Sequence, residues 1–162
     1  MLMTKFNFVA ESGKQEIVGT TVFDAPRELV FKTYTDPNHL PEWWGLKTLT
    51  TTVDKMDLKQ GGIWRFVQRD AEGKEFAFRG FYHEIRKPER VVFTFEFEGM
   101  PGHVSLETVT FEEFEGKTKV TAKSVFQTVK DRDGIVNTGS EKGATESMNR
   151  LAELLEKLKP RS

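Results

Sequence analysis

Cysteine is absent from the 162-residue sequence. That removes disulfides, thiolate metal ligands and thiol nucleophiles together, and it suits a reducing compartment. Neither charge sign is in excess: 24 lysines and arginines face 25 acidic residues, for a net charge of -1. No basic face is therefore implied that could track a phosphate backbone, and nucleic acid is not an expected partner. Long apolar runs are missing too. No stretch approaches the roughly 18 residues of a membrane span, and Met1 to Phe8 lacks a continuous apolar segment of signal length. The expectation is a cytoplasmic protein without membrane insertion. Histidine is scarce, and His39, His83 and His103 show no metal-binding spacing, so no metal site is expected. No nucleophile elbow and no Walker-type loop occurs, and Gly61-Gly62 lacks the following helix that a phosphate cradle needs, so no cofactor is expected.

Aromatics are what the chain does have. Fourteen phenylalanines and three tryptophans stand in a sequence only 37% hydrophobic, which concentrates burial in a few bulky side chains. A length of 162 residues suits one core and is short for two. One domain is expected over residues 1–162, with a core at about 15–158, an amino-terminal β-arm at 1–14 and a short tail at 159–162.

Periodicity divides the chain. Phe6 and Phe8 alternate with polar residues, a turn follows at Glu11 to Lys14, and Ile17, Val18, Val22 and Phe23 continue as a second strand, which reads as a hairpin. Asp24-Ala25-Pro26-Arg27-Glu28 signals a helix start, and a short helix through Tyr34 is expected. Leu40, Trp43 and Trp44 share a face in a second short helix, in which Pro41 implies a tight 3₁₀-like first turn. The period then drops to two over segments near 49–57, 63–70, 75–86, 90–97, 103–114 and 117–128, separated by hairpin-type turns. After Asp131 the helical period returns, with Ala144, Met148, Leu151, Leu155 and Leu158 along one stripe. An early start to this helix, with a bend caused by Gly134, Gly139 and Gly143, is expected. The class is therefore α+β: an antiparallel meander that buries one face under a long carboxy-terminal helix.

Alternation places Trp64 and Phe66 on one face of their strand, and Phe93, Phe95 and Phe97 on one face of theirs. Trp64, Phe66, Phe93, Phe95, Val109, Phe111, Val120 and Phe126 are the expected inner-face set. A curved sheet with that much wall leaves room for a pocket as well as a core. Trp44, Trp64, Phe66, Phe95, Phe111, Met148 and Leu151 are the candidate ligand-lining residues, although for any single phenylalanine plain core packing is the simpler explanation. Of the paired tryptophans, one is expected against the long helix and Trp44 at the mouth of the cavity.

Several fragments carry a family likeness: Phe23 to Phe31, Thr35-Asp36-Pro37, Trp43-Trp44-Gly45, Gly61 to Phe66, Glu84-Ile85, Pro88 to Thr94 and Arg150 to Leu155. In this order and spacing, over roughly residues 15 to 158, the sequence resembles the bacterial branch of the heat-shock-protein-90 ATPase activator homologues, within the START-like (SRPBCC) helix-grip superfamily. The resemblance implies a β-α-α-β-β-β-β-β-β-α domain with a cavity between sheet and long helix, on a scaffold used for lipid, hormone and polyketide binding. Fold alone does not assign function. Two positions depart from the family pattern: Leu46 follows Trp-Trp-Gly where proline is common, and Thr145 and Glu146 occupy a stretch that often carries tryptophan.

Three functions remain in view. The preferred one is non-catalytic binding of a small apolar or amphipathic molecule by a monomer or homodimer. A cyclase- or dehydratase-type enzyme is the second, with Arg79, His83 and Glu107 as candidate acid–base groups. Glu107 shares its face with Val109 and Phe111, so a carboxyl there would meet apolar walls and hold its proton to higher pH. The alternative for all three is solvent or a cross-strand ion pair on the outer face. A chaperone-binding or stress-response protein is the third reading, suggested by the family name alone.

Overall fold

The computed structural model describes residues 5–160. Met1 to Thr4 of the expected β-arm, and Arg161 and Ser162 of the expected tail, lie outside the described residues. Strands β1 (Phe6–Val9) and β2 (Glu16–Phe23) form the anticipated hairpin, with Phe6 opposite Thr21. Helix α1 (Arg27–Thr35) follows directly. Pro26 sits at its N-cap and Glu28 in its first turn, where the free amide groups favour a carboxylate. Val30 and Phe31 supply its buried face. The second expected helix is a single 3₁₀ turn, Leu40–Glu42, as Pro41 dictates.

Six strands then meander: β3 (Thr50–Met56), β4 (Ile63–Arg69), β5 (Glu75–Arg86), β6 (Arg90–Phe97), β7 (Val104–Phe114) and β8 (Lys117–Phe126). All eight strands make one antiparallel sheet in the order β1-β2-β8-β7-β6-β5-β4-β3. Because β2 pairs with β8, the amino-terminal hairpin extends the sheet beyond its last strand, and α1 with the 3₁₀ turn spans the crossover to β3 at the far edge.

Two bulges interrupt the ladder, at Val53/Lys55 in β3 and at Tyr82/Glu84 in β5. Each inserts one residue and so restarts the alternation. Tyr82 and Ile85 therefore both join the core although they are three positions apart, and Val53 and Met56 do the same. A second local device serves the same face. An added Cβ at Gly80 would lie 1.7 Å from the Thr94 carbonyl oxygen and 2.6 Å from the Trp64 indole nitrogen. Only glycine leaves the opening through which Trp64 Nε1 donates to that carbonyl, at 3.2 Å.

Beyond the sheet, the expected single bent helix is two helices. Helix α2 (Val129–Asn137) is capped by Thr128, whose hydroxyl accepts from the Asp131 amide. Helix α3 (Ser140–Leu158) starts after Gly139, which adopts φ +84°. A left-handed residue cannot continue an α-helix, so the three weakening glycines produce a break where a bend was expected. Leu151, Ala152, Leu154 and Leu155 of α3 then pack with Phe31, Trp43, Trp64, Phe66, Val109 and Phe111 in one apolar cluster. The sheet thus carries α3 on its inner face, the helix-grip arrangement. Among the described residues no helix is long and apolar enough to cross a membrane.

Candidate functional site

Aromatic side chains crowd the inner face over β4, β5 and β6. Trp44 meets Phe66 and Phe78 edge-on, with ring centroids 5.1 and 5.4 Å away. Trp64 lies 4.7 Å from Phe66, 5.9 Å from Phe93 and 5.8 Å from Phe95. Phe111 belongs to a neighbouring group, 5.1 Å from Phe31 and 5.4 Å from Tyr34. The ligand candidates therefore divide into two sets. Trp64, Phe66, Phe111 and Leu151 are buried, whereas Trp44, Phe95 and Met148 pack against the core yet keep part of their surface accessible. Phe78, Phe93 and Ala122 behave like the second set. Phe126, the last of the expected inner-face residues, pairs with Ser105 at the end of β8, outside the cluster.

The tryptophan pair separates as well. Trp43 is 2% exposed and packs at a tilt against Tyr34, with ring centroids 4.8 Å apart, and its Nε1 has no partner. Trp44 is half-buried. Its loop is fixed by α3: the Gly45 amide donates to Ser147 Oγ at 2.9 Å, Arg150 donates to the Gly45 carbonyl at 2.8 Å, and the Lys47 amide donates to Glu146 Oε1 at 2.6 Å. The three polar α3 residues Glu146, Ser147 and Arg150 thus tie the aromatic loop to the helix.

Glu107 places an acid on the inner face near the middle of the sheet. It stands opposite Phe93 of β6 and Ser124 of β8. Ser124 Oγ donates to its Oε1 at 2.6 Å, and the nearby Ser105 hydroxyl also favours the charged form. Its Oε2 is covered by protein and has no partner. Burial raises the pKa of this carboxyl, and the two serine hydroxyls oppose the shift only in part. The residue as a whole is half-buried. Burial also raises the Tyr34 and Tyr82 phenols, with the Glu107 charge adding to Tyr34 and Tyr34 adding to Tyr82. Two phenols, one carboxyl and two hydroxyls thus stand among apolar walls.

Arg79 and His83 are placed elsewhere. Arg79 donates from Nε to Glu96 across the β5–β6 ladder at 3.1 Å, on the outer face. His83 is exposed at the β5 bulge, and neither residue meets Glu107. His39 pairs with Glu42 and His103 with Asp131, each at the surface. Among the described residues no cluster of three or more histidine, aspartate or glutamate side chains could hold a metal ion. Tyr34, Tyr82, Ser105 and Ser124 were not singled out by sequence reasoning. Ser105 shares the Glu107 alternation and so carried a signal, whereas Ser124 needed the β7–β8 register.

A separate hollow of ≈ 430 Å³ opens at the surface between the first turn of α1, Glu113 and the end of α3 at Leu158 and Pro160. Charged Arg27, Glu28 and Glu113 line it together with the apolar side chains of Pro26, Leu29, Leu158 and Pro160, and the inner-face aromatics take no part in it.

A family profile described as Activator of Hsp90 ATPase homolog 1-like protein matches residues 24–156. The chain belongs to this family. The matched span runs from just before α1 to near the end of α3, so it contains Trp44, Tyr34, the aromatic inner face and Glu107, while β1 and β2 precede it. Solved structures of bacterial proteins share the fold. Ms6760 from Mycobacterium smegmatis aligns with a TM-score of 0.84 at 23% identity, over 94% of this chain and 96% of that one. CV1439 from Chromobacterium violaceum gives 0.79 at 26%, over 88% and 97%. The AHSA1 protein from Silicibacter pomeroyi gives 0.75 at 22%, over 89% and 99%. No curated protein matches the sequence. Family membership therefore accounts for the helix-grip architecture, and function has to be argued from the side chains.

Proposed function

We propose that the protein binds a small, largely apolar molecule between the aromatic face of the sheet and α3. The observation that carries this reading is the accessibility of inward residues. Phe78, Phe93, Phe95, Ala122 and Met148 pack against the core cluster but remain half-buried. Close-packed interiors leave few such gaps, and the partial exposure of these inward positions supports a reading in which space is left between sheet and helix. An apolar space of this kind gains affinity from the area a ligand removes from water, and a few polar groups set the ligand's orientation.

Substitution of the smallest inner wall residue tests the reading. Ala122→Phe places a ring into the space and is expected to weaken binding of a neutral fluorescent naphthylamine probe by roughly tenfold, about 1.4 kcal/mol, with the thermal midpoint of the protein unchanged. A solid interior gives the opposite pair of results: no probe binding by the parent, and a loss of about 1–3 kcal/mol of stability from overpacking in the variant.

A catalytic use of the same space is the second reading, favoured by Glu107 alone. A carboxyl whose pKa is raised by burial suits general acid–base work of the cyclase or dehydratase kind. On that reading Glu107→Gln abolishes turnover of a cyclisable substrate while probe affinity persists, and equal rates in variant and parent remove the residue from any mechanism.

A further inference from the structure

The surface hollow of ≈ 430 Å³ beside α1 is separate from the inner face and has a chemistry of its own. Its size falls within the roughly 300–1,000 Å³ of small-molecule sites, and its lining is of their kind, mostly apolar with a few charged groups. Pro26 and Leu29 come from the start of α1, Glu113 from the end of β7, and Leu158 with Pro160 from the end of α3. The walls are held to one another. Glu113 Oε1 accepts from the Arg27 amide at 3.0 Å, which ties β7 to α1. Lys159 Nζ lies 3.3 Å from Asp24 and 3.1 Å from Glu156, which ties the end of α3 to the segment leading into α1.

The charges that line the hollow are not paired with one another. Among the described residues no ion pair joins the Arg27 guanidinium to an acid, or Glu28 or Glu113 to a cation. Arg27 and Glu28 are consecutive in a helix, where adjacent side chains do not face each other. Glu113 uses one oxygen on a backbone amide and keeps the second. Pro26 and Pro160 add no N–H donor, which leaves Arg27 as the one cation of the lining.

We propose that this hollow binds a small zwitterion with an apolar side chain, the class of a free aliphatic amino acid, with its carboxylate on Arg27, its ammonium on Glu113 and Glu28, and its hydrocarbon on Leu29 and Leu158. Other classes leave a charge unanswered. A simple anion meets two carboxylates, and the Arg27 amide that could have received it is already taken by Glu113. A simple cation meets Arg27. A neutral hydrocarbon covers the charged groups and returns no partner to any of them, which is desolvation without compensation. This site and the space between sheet and α3 are independent, so either fails without the other.

Amide-detected NMR titration of the full chain at low ionic strength, with three molecules of one skeleton, tests the assignment: leucine, isopentylamine, which lacks the carboxylate, and isocaproate, which lacks the amine. Leucine is expected to shift the Arg27, Glu28 and Leu158 amide signals saturably and to bind about threefold more tightly than either analogue, the scale of one exposed ion pair. Arg27→Gln is expected to lower leucine to the affinity of the amine. Glu28→Gln combined with Glu113→Gln, in which position 113 still accepts from the Arg27 amide, is expected to lower it to the affinity of the acid. Equal affinities for the three, or tightest binding of either analogue, overturn the proposal, as does the absence of saturable shifts at these amides, whether or not others move. Leucine affinity unchanged in both variants overturns it as well. The ranking within the parent protein decides even where a variant does not fold.

Discussion

Glu107 is a residue the fold retains at a cost, and that cost has a pH signature. Burial raises its carboxyl above the ordinary 4.5, so the folded protein holds the proton to higher pH than the unfolded chain does. Stability is therefore lost as pH climbs from about 4.5 toward the folded value, and the loss saturates above it. Glu107→Gln removes the titration. Thermal midpoints measured from pH 4 upward are expected to show the variant gaining on the parent as pH rises, and a constant gap contradicts the burial described here. The tryptophan pair makes a second contrast at this scale. Trp43→Ala empties a fully buried site and is expected to cost about 3–5 kcal/mol in denaturant unfolding, whereas half-buried Trp44→Ala is expected to cost clearly less. Much of this was legible beforehand: alternation alone put Glu107 with Val109 and Phe111. The His83 bulge was not legible, because an inserted ladder residue has no sequence signature apart from the pairing it disrupts.

At the scale of elements, the break between α2 and α3 is the clearest departure from the pattern. Three glycines announced weakness in the helix, but only the backbone says which of them is left-handed. Gly139 carries φ +84°, while Gly134 and Gly143 lie inside helices with nothing within 4 Å of an added Cβ. Gly134→Ala and Gly143→Ala are therefore expected to stabilise the protein by about 0.5–1 kcal/mol each, through helix propensity and unfolded-state entropy. Gly139→Ala is expected to destabilise it by about 1 kcal/mol or more, because alanine resists the left-handed region. Chemical denaturation of the three variants checks this, and a stabilising Gly139→Ala contradicts the break. The strands were more legible than the helices. Expected and observed limits of β3 to β8 agree within two residues because short turns punctuate every hairpin. The 3₁₀ turn was legible in Pro41. Pairing of β2 with β8, across most of the chain, was written in no local pattern.

For the whole molecule, sheet, crossover and terminal helix follow from a sequence that keeps a period of two over six strands and then offers one amphipathic stripe. Whether that stripe fills the bowl or only roofs it depends on side-chain volumes summed over many positions, and no periodicity encodes the sum. The partial exposure of inward Phe93, Phe95, Ala122 and Met148 is what the structure adds. Methyl-detected NMR of protein labelled at methionine and alanine, titrated with naphthylmethanol, tests this most directly. The Met148 and Ala122 methyl signals are expected to shift saturably while that of Met100, 54% exposed on the outer surface, stays in place. Unmoved Met148 and Ala122 signals, or shifts confined to Met100, contradict a ligand between sheet and helix.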